Sequence, residues 1–155
     1  MTDSDHWLWR LTAHEWLDAA ERELEQASEL VSTRRTAVTH ARRAAGMALN
    51  GVLASMADRG WTKDRCETAW GRSYMDHLRV IADSAVSDRE PFDAEQAERC
   101  RTLLAVPVMP PTGLVRLATR KDEAASQAVA IAAAIVQACA KAIGRSDGTK
   151  GSVET

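Results

Sequence analysis

The chemistry this chain could perform is concentrated in Arg72-Ser73-Tyr74-Met75-Asp76-His77, where a guanidinium and an imidazole stand five residues apart just after Gly71. Arg with His is the minimum equipment for metal-independent cleavage of RNA. An imidazole titrates near neutrality and can move a proton to or from a 2′-hydroxyl. A planar guanidinium can hold and neutralise the scissile phosphate with two donors. On an ideal helix a five-residue step turns the side chain through about 140°, so the two do not stack on one face. Arg72 has to reach round from a non-helical lead-in at Gly71, or the pair has to assemble across a two-fold axis. A structural reading uses the same residues: Arg72 and Asp76 at i, i+4 form an exposed pair, and His77 fills helix packing beside Leu78.

Arg42, Arg43 and Arg79 are further candidates for contact with a phosphate or nucleotide. Charge is segregated around the first two. Glu15, Asp18, Glu21, Glu23, Glu25 and Glu29 form an acidic stretch, whereas Leu30 to Ala57 has no acid and contains Arg34, Arg35, His40, Arg42 and Arg43. Either an acidic helix packs beside a basic one, or the basic stretch offers a face to phosphates. His40 with Arg42 and Arg43 reads as a solvated cluster. No Gly-rich phosphate loop, His-Glu-x-x-His or Gly-x-Ser-x-Gly motif occurs. His6 and His14 are too loosely spaced for a metal site. Cys66, Cys100 and Cys139 are odd in number and lack a C-x-x-C, which argues against disulfides or zinc. No metal or cofactor is expected.

These residues must be positioned by helices. The apolar fraction is 45%, with alanine dominant and only one Phe and one Tyr in 155 residues, a composition that favours helix over strand. Ala13, Trp16, Leu17, Ala20, Leu24, Ala27 and Val31 recur at helical spacing and predict a first helix starting near Ser4 or Thr12, with Thr12 and Glu15 at capping-box spacing. Trp7 and Trp9 before it either fold back on the body or cover a partner subunit. A second helix is predicted from about Arg34 to Asp58, with Gly46 and Gly51 inside it where another helix comes close. Trp61 to Trp70 reads as a short helical segment or loop capped by Thr62, and Arg72 to about Ala85 as the third main helix. Ser87 to Pro91 is a turn, and Asp93 caps a fourth helix. Val106 to Gly113 is extended because of its prolines. A last helix, Thr119 to Ile143, has two apolar faces and should be central to the bundle or to a dimer.

Residues 1–144 are therefore expected to form one helical-bundle domain, and 145–155, rich in Gly, Ser, Lys and Glu, a flexible tail. The net charge of −2 gives no global attraction for nucleic acid. The amino terminus lacks the basic and apolar regions of a signal peptide, and the longest apolar run, Ala128 to Val136, is about half a membrane span. A soluble, cytoplasmic protein is expected.

The pattern resembles the HEPN superfamily over roughly Thr12 to Ile143. Trp16-Leu17-Asp18-Ala19-Ala20-Glu21-Arg22-Glu23-Leu24 looks like that family's first helix, and Ala41 to Leu53 is similar to its second. Arg72 with Asp76-His77-Leu78 fits its Arg-x4-His signature, and the Pro-rich crossing before a long alanine-rich helix looks like its ending. The resemblance implies an antiparallel four- to five-helix bundle that dimerises. Where such proteins are catalytic they are metal-independent endoribonucleases of the toxin or defence kind, which would make Arg72 the phosphate binder and His77 the general acid/base. Other members are non-catalytic nucleotide- or protein-binding modules, some partnering a nucleotidyltransferase. This chain departs from the family pattern at Gly46 and Asn50, where Glu and Lys are frequent.

Overall fold

The computed structural model describes residues 6–83, 92–108 and 122–144, and all regular structure among them is helical. A 3-10 turn at Trp7–Arg10 precedes α1 (Ala13–Glu29), α2 (Arg34–Ala57), α3 (Lys63–Thr68), α4 (Tyr74–Ala82), α5 (Ala94–Ala105) and α6 (Glu123–Ile143). Short polar side chains set five of the six starts. Thr12 and Glu15 form the expected capping box, and Thr62, Ser73, Asp93 and Asp122 each accept a backbone N–H from the first turn of their helix. Asp122 has a second task. Both of its carboxylate oxygens accept from Arg34 Nε at 3.0 Å, which ties the start of α6 to the start of α2. Gly144 ends α6 with φ +94°, the left-handed conformation of a C-terminal glycine.

Within the single chain the central position, one of the two places expected for the last helix, belongs to α2. Fourteen of its residues are buried, from Ala37 to Met56, and α1, α3, α4 and α6 all pack on it. Alanines and glycines make this possible by letting neighbours approach from several sides. A Cβ on Gly51 would lie 2.9 Å from the Ala13 carbonyl oxygen, and one on Gly46 only 2.3 Å from Tyr74 Cβ. Both mid-helix glycines thus mark close approach, of α1 and α4 respectively, at a propensity cost of roughly 1 kcal/mol each. The acidic and basic stretches do lie side by side: Glu23 of α1 pairs with His40 and, at 3.4 Å, with Arg43 of α2.

On α6 the buried positions are Ala125, Ala128, Ala132, Ile135, Val136 and Cys139. By length and composition this helix could cross a membrane, with a mean hydropathy of 1.5 over 18 residues. The nine-residue run alone understated it, because alanines continue on both sides and Cys139 and Ile143 follow it. Val106–Val108 are non-helical as expected. The turn at 87–91, the rest of the proline-rich crossing, the Thr119 start and the 145–155 tail lie outside the described residues.

Candidate functional site

Gly71 has φ +85°, and a Cβ there would meet Asp76 Cβ at 2.5 Å, so the turn into α4 requires glycine. Past it, Asp76 reaches back to accept the Arg72 backbone N–H at 3.2 Å, while Ser73 Oγ accepts from Asp76 N–H at 3.1 Å. The Arg72 bond, ahead of the Arg79 charge and the Ser73 bond, holds the Asp76 carboxyl below its ordinary pKa. This local knot fixes the direction of every side chain on the first turn of α4.

It sends His77 inward. The imidazole is 0% exposed, its Nδ1 lies 2.8 Å from the Trp70 carbonyl oxygen, and its Nε2 lies 2.7 Å from Asn50 Oδ1. A carbonyl only accepts, so Nδ1 carries a proton. Burial lowers the pKa of His77 and outweighs the Trp70 bond and the Asp76 charge, which favours a neutral ring whose Nε2 accepts. Asn50 must then turn its amide N–H toward the ring. That half-turn also gives a partner to Asn50 Nδ2, which otherwise has none. Trp7 covers the outer side of the imidazole, with ring centroids 6.1 Å apart.

Arg72 goes the other way. It is exposed, and it lines an open cleft of about 330 Å³ together with Trp7, Arg10, Trp16, Ser73 and Tyr74. The structure therefore does not bring Arg72 and His77 to one solvent-facing pocket. Trp7 stands between them, touching the imidazole and walling the cleft. The reason is local: Arg72 stands on the exposed lead-in between Gly71 and the N-cap Ser73, whereas His77 lies on the inward face of the first turn of α4. Among the described residues, neither Arg72 nor Arg10 has an ion-pair partner for its guanidinium and no acid lines the cleft.

The other expected phosphate contacts divide. Arg42 is spent on protein: its guanidinium donates to the carbonyls of Leu103, Leu104 and Val106 at 2.8 to 3.3 Å, satisfying the C-terminal end of α5. Arg43 is half exposed beside Glu23, and Arg79 pairs with Asp76 at 3.2 Å with its side chain 62% exposed. The motif alone did not point to Trp7, Arg10, Trp16 and Tyr74. Their signal was the interleaving of aromatic and basic residues in Trp7-Leu8-Trp9-Arg10 and Arg72-Ser73-Tyr74. A buried leucine, one buried hydrogen bond and one part-buried hydrogen bond hold the first of these in place. Leu8 is 0% exposed, its carbonyl accepts from Trp16 Nε1 at 2.9 Å, and Trp9 Nε1 donates to Glu67 at 2.5 Å.

Larger hollows are less suited to an anion. The groove between α5 and α6, about 440 Å³, has Arg99 paired with Glu95 and sets Asp93 across from Lys141. That beside α1, about 490 Å³, carries Glu23, Glu25 and Glu29. No group of three or more His, Cys, Asp or Glu able to hold a metal occurs among the described residues. No protein-family model matches the chain, and no curated protein or solved structure matches it either.

Proposed function

We propose that the chain is a phosphate-directed binding module of the HEPN kind that its sequence resembles, an antiparallel bundle that holds a nucleotide in the cleft at the start of α4. The observation that carries this reading is the pair of guanidinium groups, Arg10 and Arg72, without ion-pair partners among the described residues and set among the rings of Trp7, Trp16 and Tyr74. Arginine meets phosphate oxygens with paired donors, and indole or phenol rings give a base a stacking surface. The burial of His77 supports binding over cleavage, since an endoribonuclease role would need its imidazole to reach solvent past Trp7.

Thermal melting with AMP tests it. A ligand present at ten times its Kd adds about 1.4 kcal/mol to the folded state, so millimolar AMP raises Tm, and the double variant Arg10→Ala, Arg72→Ala loses the shift while melting normally without ligand. No shift in the unaltered protein removes the proposal. RNA incubated with the protein in EDTA stays intact; cutting that depends on His77 would restore the nuclease reading in its place.

A further inference from the structure

The cleft does not stop at Tyr74. Beyond that side chain lies a second hollow of about 240 Å³, to which Thr39, Arg43 and Met75 contribute, and Ser73 and Tyr74 are walls of both. The ridge between them is fixed. Tyr74 rests on the bare backbone of α2 at Gly46, where a Cβ would come within 2.6 Å of Tyr74 Cγ and 2.7 Å of Cδ1. Each hollow also has its own cation facing water: Arg10 and Arg72 in the first, and in the second Arg43, half exposed and sharing Glu23 at 3.4 Å. Arg42 lines the second hollow too, but its guanidinium is committed to the α5 carbonyls.

Resting on the reading above, we propose that the two hollows take two successive nucleotides of a single-stranded polynucleotide. One base lies against Trp7 with its phosphate at Arg72 and Arg10. The strand crosses the Ser73–Tyr74 ridge, and the next nucleotide enters the Thr39–Arg43 hollow. A lone nucleotide leaves the second hollow unused. A duplex cannot splay neighbouring bases to either side of a ring, whereas an unpaired strand can, and aromatic ridges between cationic hollows suit it. Ribose and deoxyribose strands share this chemistry.

Quenching of tryptophan fluorescence by 5′-phosphorylated mono-, di- and hexanucleotides, in ribose and deoxyribose series, provides the test. The dinucleotide of at least one series binds tenfold or more tightly than its mononucleotide. Arg43→Gln, a half-exposed change that spares the core, brings the dinucleotide back to mononucleotide affinity. Gly46→Ala, which displaces the ridge, does the same in protein shown by circular dichroism to be folded. Equal affinity for mono- and dinucleotide in both series overturns the two-hollow proposal and leaves the single-nucleotide reading standing. A hairpin duplex that binds as tightly as the single strand also overturns it. Absence of binding by every length removes the reading on which it rests.

Discussion

His77 and Arg72 belong to one sequence motif, the first on the opening turn of α4 and the second just ahead of its N-cap, yet they occupy opposite physical environments. Around His77 every polar contact is internal: a backbone carbonyl, an amide from α2 and two flanking indoles, all out of water. Around Arg72 nothing among the described residues engages the guanidinium, and its neighbours in the cleft include a second arginine in the same state and three aromatic side chains. The first region spends its polar groups on specifying how α4 docks on α2. The second keeps its polar groups available. A titratable residue inside a packed node thus reports on stability, whereas the exposed cation a few residues away reports on ligands.

Substitutions should separate the two regions sharply. His77→Ala leaves the Trp70 carbonyl and the Asn50 amide unpaired around a cavity, and urea unfolding should show a loss of about 3 kcal/mol. A loss under about 1 kcal/mol would mean that the node is not closed. Next in size is Gly46→Ala, where the methyl group collides with the Tyr74 ring; overpacking of this kind costs about 1–3 kcal/mol and should be visible in the same unfolding curves. Arg42→Ala uncaps the α5 carbonyls and should cost about 1–2 kcal/mol, with amide exchange in α5 accelerating before that in α2.

Near neutrality the node sets a pH dependence of its own. The folded-state pKa of His77 lies below the ordinary 6.5, so on acidification the unfolded chain takes up a proton that the folded chain refuses. Stability is therefore full above about pH 6.5 and falls as pH drops below it. Tm should decline from about pH 7 to about pH 5, more steeply in the native protein than in His77→Gln. Parallel slopes would show that the ring is solvated. The smallest effect on stability belongs to Arg72→Ala, within about 0.5 kcal/mol, although it should weaken nucleotide binding most.

Much of the fold was legible because its signals are local. The capping box at Thr12–Glu15, the caps at Thr62 and Asp93, and the glycines of α2 all announce themselves within a few residues. The placement of α2 rather than α6 at the centre was not legible. Periodicity registers two apolar faces on α6, but it does not register that alanine and glycine open several sides of α2 to elements from elsewhere in the chain. Arg72 was found by its motif, whereas Arg10, Trp7 and Tyr74 were not, because the cleft joins segments more than 60 residues apart. Arg42 looked available in sequence and is consumed by α5, whose carbonyls no local pattern could have linked to it.

What the sequence by itself determined is the set of helices, since capping, propensity and spacing act over one or two turns. It also determined the turn at Gly71, whose positive φ only glycine tolerates cheaply. Tertiary packing decided which charged groups stayed in water. Burial and hydrogen-bond partners depend on what arrives from elsewhere in the chain: Asn50 and Trp7 close over His77, the end of α5 takes Arg42, and nothing among the described residues reaches the guanidinium of Arg72 or Arg10.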